Sequence, residues 1–338
     1  MRDRQRSTIV DIARAAGVSV STVSRVINGK PDVSPRTKRV VLDTMLAQGF
    51  MVNPVARSLV GARMRVIGAL ARTLNSAFAT GVLQGAMEVG EESGYGLLLL
   101  PAELDPANPS AGLLHAVADG VLVVSPGLAT NPDPGAFGKP VVYVEQHRDA
   151  GNHGVTVTTT NREGTASLAR YLIGLGHRRI AYVTGPEYLE SSRERLHGYL
   201  AALDDHGIPR DDRYVVRGGF DVSSGVEAAR SLMALRPAPT AIMASNDRSA
   251  FGVLQALAEL GLRVPHDVSV VGFDDVPLAA ASQPPLTTVH QPVYEMGRTA
   301  METLVAWIER GEVAAGKREL PTRLVVRESS ARPRIGSA

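Results

Sequence analysis

The chain has 338 residues, 44% of them hydrophobic and 21% charged, and it contains no cysteine. That balance suits a folded protein of two or three domains, and the missing cysteine excludes disulfides, thiolate nucleophiles and cysteine-ligated zinc. No stretch has the apolar length of a signal peptide or a bilayer span, so a cytoplasmic protein with no membrane association is expected. The net charge of +2 conceals an imbalance: residues 1–65 carry 12 Lys and Arg against 4 Asp, a net of +8, while the remainder carries 24 bases against 30 acids, a net of −6. A basic head on an acidic body is the charge layout of a nucleic-acid binder, although charge alone leaves open a merely solvated basic face.

Thr8 stands before a run in which Ile9, Ile12, Ala13 and Ala16 recur at helical spacing, with Asp11 as the short acid of a capping box. Gly17 ends that helix. Ser19 caps a second helix through Ile27, with Val23, Val26 and Ile27 inward, and Asn28-Gly29 closes it. Ser34-Pro35 opens a third, a cap followed by proline at the first helical position, which ends near Gln48-Gly49. The first two, joined across Ala16-Gly17-Val18-Ser19, make a helix-turn-helix, because small residues let helices cross closely. Val20, Ser21, Thr22 and Arg25 are the exposed positions early in its second helix. Arginine forks onto guanine in the major groove, and the hydroxyls reach phosphates or base edges. Taken singly, Ser21, Thr22 and Ser24 read equally well as ordinary exposed helix residues; the basic block tips the set toward DNA.

From Arg65 onward short apolar runs alternate with helical stretches, the pattern of a doubly wound α/β architecture. Strands are predicted over Val66–Leu70, Gly96–Leu100, Gly120–Val124 and Pro140–Val144, and in a second series over Arg179–Thr184, Thr240–Ala244 and Val268–Phe273. Helices are predicted over Phe78–Glu92, Arg162–Leu175, Ser192–His206 and Asp247–Leu260. Two parallel series imply two lobes, with a ligand cleft at the carboxyl ends of their strands. Enzymatic signals are missing: eight histidines are scattered without ligand spacing, no G-x-S-x-G elbow occurs, and G-P-E-Y-L at Gly185 lacks the glycines and lysine of a phosphate loop. His177, in G-L-G-H-R-R, sits at a helix-to-strand corner and reads as structural. No enzyme, cofactor or metal is expected.

The string D-I-A-R-A-A-G-V-S-V-S-T-V-S-R-V-I-N-G, Asp11 to Gly29, resembles the DNA-binding headpiece of the lactose/galactose repressor (LacI/GalR) family, as do V-S-P-R-T (Val33–Thr37) and N-P-V-A-R-S-L (Asn53–Leu59) in the same order. The resemblance continues over roughly residues 66–330 through S-L-A-R-Y-L-I-G-L-G-H-R-R-I (Ser167–Ile180), M-A-S-N-D (Met243–Asp247), S-V-V-G-F-D-D (Ser269–Asp275) and T-T-V-H-Q-P (Thr287–Pro292). It implies an N-terminal all-α helix-turn-helix headpiece and a periplasmic-binding-protein-like, two-lobed, doubly wound α/β core. The implied domains are a headpiece over 1–52, a hinge over 53–64, an N-lobe over 65–158 and 290–318, a C-lobe over 159–289 and 319–332, and a tail over 333–338. The chain is thus expected to cross between lobes near residues 159, 289 and 319.

The resemblance also implies residue roles. In the headpiece Thr8, Ser19, Val20, Ser21, Thr22, Ser24, Arg25 and Asn28 are expected at DNA. In the hinge Asn53, Val55, Ala56, Arg57 and Leu59 follow, with residues 54–60 becoming a helix only on the operator. A segment so short is marginal alone, which agrees with folding driven by binding. Leu59 matches the leucine that wedges into the minor groove; packing against its own lobe is its other reading. The implied effector contacts are Ala77, Phe78, Ser125, Glu145, Arg195, Phe220, Asn246 and Asp274, a set that suits a sugar or polyol. For Asp274 and its neighbour Asp275, strand-end capping and interlobe hydrogen bonding compete with ligand contact. Three departures stand out: Asn75–Phe78 lacks one aromatic, Glu145 replaces an aspartate, and Thr160-Asn161 replaces Asp-Asn, removing an acceptor near the crossing. The expected function is a dimeric regulator, by family default a repressor, that binds double-stranded pseudo-palindromic operator DNA under control of a carbohydrate effector. Dimer contacts are expected around Phe78–Glu88 and Phe251–Leu260, and no tetramerisation heptad follows the last strand. An exported transport protein shares the clamp but not the basic head, and a nucleoid-architectural protein has no need of a polar cleft.

Overall fold

The computed structural model describes residues 7–27, 30, 32–50, 63–71, 76–101, 109–124, 138–145, 154–311 and 316–334. The chain forms two compact units, Met1–Met64 and Arg65–Ala338. The expected hinge contacts Asn53, Val55, Ala56, Arg57 and Leu59 lie outside the described residues, as do Asn28 and Ser125.

Among the described residues the first unit is three helices around a small core. Helix α1 (Ile9–Ala16) starts at a reciprocal cap in which the Thr8 N–H donates to Asp11 Oδ2 at 2.9 Å and the Asp11 N–H donates to Thr8 Oγ1 at 3.4 Å. It stops at Gly17, whose φ of 66° is the left-handed turn that glycine tolerates. Helix α2 (Val20–Ile27) follows at once, its Thr22 N–H donating to Ser19 Oγ at 3.1 Å. Helix α3 (Pro35–Ala47) begins with Thr37 N–H donating to Ser34 Oγ at 3.2 Å. Ile12, Ala13, Val23, Val26 and Val41 are buried between the three.

The second unit holds two parallel sheets. Strands β1 (Val66–Ala71), β2 (Gly96–Pro101), β3 (Gly120–Val124), β4 (Val141–Val144), β5 (Val155–Thr159) and β11 (Gly316–Leu320) form the first, in the order β2-β1-β3-β4-β5-β11. The second, in the C-lobe, is β7 (Val215–Val216), β6 (Ile180–Val183), β8 (Ala241–Ala244) and β9 (Ser269–Val271), in that order. Most inner strands are buried along their whole length, as parallel strands covered on both faces must be. Helices α4 (Ala77–Ser93), α5 (Pro109–Val117) and α11 (Val293–Arg310) flank the first sheet; α6 (Asn161–Gly174), α7 (Glu190–Asp205), α8 (Val222–Ala234), α9 (Asp247–Glu259) and the short α10 (Pro277–Ala281) belong to the second.

The strand register adjusts the expected lobe limits. Thr159 completes β5, and Glu319 and Leu320 pair with Thr158 and Thr159, so the third crossing falls after Leu320 and not between 318 and 319. Strand β10 (Thr288–His290) pairs antiparallel with β12 (Arg323–Val325), bringing the second and third crossings side by side. The expected tail is anchored as far as Arg334, which pairs with Asp267 at 2.7 Å. His177 ties into the same segment through Nε2 and the Ala331 carbonyl at 2.8 Å, with Nδ1 against Thr240 Oγ1 at 2.9 Å, and burial lowers its pKa.

Glycine sets the packing of the helix pairs. A Cβ on Gly85 of α4 would lie 2.0 Å from the Tyr294 carbonyl oxygen of α11, and one on Gly297 of α11 would lie 1.9 Å from the Val82 carbonyl oxygen of α4. Gly225 of α8 and Gly252 of α9 repeat the arrangement, each with a carbonyl oxygen 2.1 Å from the site of a Cβ. On α7, Gly198 meets the Arg162 carbonyl of α6 in the same way. These helices touch backbone to backbone, with no side-chain layer between them.

Candidate functional site

Both sheets present their carboxyl ends to one cavity of about 450 Å³. The strand order 2-1-3-4-5 of the first sheet places its topological switch between β1 and β3, and the second sheet has the equivalent gap between β6 and β8. Loops leaving such strand ends must diverge to opposite faces and leave a crevice. From the first lobe come Ser76, Ala77, Phe78 and Ala79 after β1, Val124 at the end of β3, and Glu145 after β4. From the second come Tyr188 and Leu189 after β6, Ser191 and Arg195 on α7, Phe220 and Asp221 after β7, Asn246 and Arg248 after β8, and Asp274 and Val276 after β9. Seven of the eight residues singled out as effector contacts therefore share one wall system, and the eighth, Ser125, lies outside the described residues.

Arg195 is only 4% exposed and is held on all sides. Its Nε donates to Asn161 Oδ1 at 2.8 Å, Nη1 to the Ser245 carbonyl at 2.7 Å and to Asp274 Oδ1 at 3.3 Å, and Nη2 to Gln291 Oε1 at 3.0 Å. The guanidinium also lies 3.7 Å from the Phe273 ring centre and 5.7 Å from that of Phe220. Room for the Phe220 ring comes from Gly185, where a Cβ would stand 2.1 Å from Cε1. Glu145 receives Thr158 Oγ1 at 3.1 Å, Asn161 Nδ2 at 3.3 Å and Gln291 Nε2 at 3.3 Å, all on Oε1. Asn246 is largely committed: its Oδ1 caps α9 through the Ser249 N–H at 2.9 Å, and its Nδ2 donates to the Phe220 carbonyl at 3.3 Å.

Backbone strain collects at this place. Of the five described non-glycine residues with positive φ, Glu145 (58°), Phe220 (63°) and Asp274 (120°) line the cavity, and Asp275 (61°) is adjacent. Such conformations persist only where the surroundings over-determine them, and they concentrate at working sites. Asp274 is pushed up to about 6 by burial, with Arg195 pulling the other way. Behind it Asp247 is raised well above the ordinary carboxylate range by burial and then by the charge of Asp274. Asp275 faces away from the cavity and takes the structural role, bonded to His290 Nδ1 at 3.0 Å and Arg327 Nη2 at 2.6 Å. Thr160 also differs from expectation. It still supplies an acceptor at the crossing, since its Oγ1 takes the Thr322 N–H at 2.9 Å and joins the first crossing to the third.

Asn161 and Gln291 were not among the expected site residues, nor were Tyr188, Ser191, Asp221 and Arg248. Most of them lie just beyond a strand end, and that position was the available signal. The amide partners reveal themselves only in three dimensions.

In the first unit, Ser19, Val20, Ser21 and Arg25 are exposed, and Thr22 and Ser24 half-buried, on α2. The Thr8 hydroxyl is engaged by its cap and that of Ser19 by Thr22 and Ser21, at 2.8 and 2.7 Å. Arg25 pairs with Asp32 at 3.1 Å. No helix among the described residues is long and apolar enough to cross a membrane, and no group of three His, Cys, Asp or Glu among them is placed to hold a metal.

A helix-turn-helix on the same chain as a two-lobed clamp with a polar cavity defines a ligand-binding regulator of transcription. The profile described as "Bacterial regulatory proteins, lacI family" matches residues 8–53, and that of the "Periplasmic binding protein-like domain" matches residues 169–330. Catabolite control protein A of Priestia megaterium is 31% identical over 96% of this chain and 99% of its own length. Among solved structures, the complex of the transcriptional regulator CelR with cellobiose is 32% identical over 96% of this chain and all of that one, with a TM-score of 0.74. The lac repressor dimer bound to operator and the anti-inducer ONPF is 27% identical over 97% of this chain and all of that one, with a TM-score of 0.81. The chain belongs to the LacI family of bacterial transcription regulators.

Proposed function

We propose that this protein is a dimeric repressor that reads a pseudo-palindromic operator through α2 and the segment around residues 53–59, and that a carbohydrate in the interlobe cavity sets its affinity for DNA. The cavity carries the reading. It is lined by Glu145, Asp274 and a held guanidinium together with Phe78, Tyr188 and Phe220, so that acceptors and donors meet hydroxyls while rings cover C–H faces. The relatives support the choice of ligand and partner, one structure holding cellobiose and another a dimer on its operator. In the headpiece, Val20, Ser21, Thr22 and Arg25 face base edges, Thr8, Ser19, Ser24 and Asn28 stand near phosphates, and Leu59 wedges at the operator centre beside Asn53, Val55, Ala56 and Arg57.

The test is selection from a pool of random duplexes at physiological salt, followed by anisotropy titration of the recovered site with and without mono- and disaccharides. A centrally symmetric site whose affinity changes with one sugar is the expected result. Sequence-blind binding with a steep salt dependence, unaffected by any of them, would refute it.

A further inference from the structure

The two charged walls of the cavity are tied to each other indirectly. Glu145 follows β4 in the first lobe and Arg195 lies on α7 in the second; no hydrogen bond joins them. Asn161 and Gln291 each bridge the gap. Each gives an amide N–H to Glu145 Oε1 at 3.3 Å and takes an Arg195 N–H on its amide oxygen, at 2.8 and 3.0 Å. The four side chains close a ring of hydrogen bonds, and none is more than 5% exposed. A primary amide fits this task because it offers a donor and an acceptor in one rigid plane, satisfying carboxylate and guanidinium at once. Neither amide lines the cavity. Asn161 opens α6 directly after the first crossing, and Gln291 follows β10 at the second.

Only Oε2 of Glu145 and one Nη2 hydrogen of Arg195 are left over from the ring among the described residues. We infer that Asn161 and Gln291 are positioning residues: they fix Glu145 and Arg195 as one binding pair and fasten that pair to two of the three crossings, so that cavity geometry and lobe angle are set together. This deepens the reading of the cavity as the effector site and rests on it. An aspartate in place of Glu145 is one methylene shorter, so the longer side chain at this position is what lets the ring close.

The chain has no cysteine, so paired spin labels go where they are placed. Leu113→Cys and Leu278→Cys put labels on exposed positions of the two lobes. Electron–electron double resonance on the full chain, diluted with unlabelled protein and without ligand, then reads the lobe angle. Gln291→Leu is expected to add a second, longer distance population. Thr158→Val removes the Thr158 bond to Glu145 and a long one, at 3.4 Å, from Asn161, but leaves both bridges between Glu145 and Arg195 in place, and is expected to keep the parent distribution. A Gln291→Leu protein with the parent distribution, or a Thr158→Val protein that broadens as much, would overturn the inference.

If Gln291→Leu does not fold, Gln291→Glu decides. The new carboxyl keeps an acceptor for Arg195 but, when ionised, offers no donor to Glu145, so the bond to Glu145 is lost at high pH and returns when the new carboxyl is protonated at low pH. Two populations at high pH that merge at low pH support the ring; a distribution indifferent to pH sinks it. Because no ligand enters this measurement, failure of every sugar to bind would strike the effector reading alone.

Discussion

Replacing Arg195 by methionine tests the energetic core of the site. Methionine keeps an apolar stem against Phe273 but leaves four acceptors without their donor: Asn161 Oδ1, the Ser245 carbonyl, Gln291 Oε1 and Asp274 Oδ1. A buried acceptor stripped of its partner costs about 1–3 kcal/mol, and breaking a buried ion pair from one side about 3–5 kcal/mol. These costs overlap, since water and rearranged amides recover part of each, so a loss of about 3–5 kcal/mol is expected near neutral pH. Urea unfolding followed by far-UV circular dichroism measures it, with the sole tryptophan, Trp307, as a second probe. The loss is expected to shrink below the pH at which Asp274 protonates, because the orphaned charge then disappears. A loss under about 1 kcal/mol, or one of the same size at every pH, would show that the guanidinium does not hold this site together.

In the parent protein Asp274 titrates near 6 when folded, against an ordinary 3.8, so the folded state holds the proton more tightly. Stability therefore falls as pH rises between about 4 and about 6, and Asp274→Asn is expected to flatten that slope in melts across the range. Gly297→Ala drives a methyl into the Val82 carbonyl and is expected to cost about 1–3 kcal/mol or more in the same unfolding assay. Gly112→Ala, in α5 with nothing within 4 Å, is expected to stabilise by about 0.5–1 kcal/mol. Asp32→Asn releases Arg25 from an exposed pair worth about 0.2–1 kcal/mol, so binding to the selected operator should tighten by a small factor; Arg25→Ala should relax base preference, visible on re-selection.

The sequence marked those parts that obey local rules. The caps at Thr8, Ser19 and Ser34, the turn at Gly17 and the apolar runs of β1, β3, β4, β6 and β8 are written in adjacent residues. The cavity positions were within reach because parallel strands end where ligands bind. Strand β5 escaped because V-T-V-T-T breaks the apolar run with threonine, and β11 because an exposed edge strand is charged, G-K-R-E-L. The Glu145–Gln291 contact joins residues 146 positions apart, and no local pattern announces it. The Arg25–Asp32 pair hides in the same way, since it depends on how the chain returns after α2.

Reciprocal glycines on α4 and α11, and again on α8 and α9, bear on how the lobes deform. Packed helices slide past each other when the side chains between them change rotamer, which is the basis of shear motion. Where carbonyl oxygens stand at the place of a Cβ, there is no rotamer to change, and sliding would drive backbone into backbone. Each lobe is thereby stiff within itself, and mechanical compliance is left to three single strands of chain near residues 160, 291 and 321. A protein built so is suited to bend as a hinge, with little loss of the displacement inside the bodies that swing.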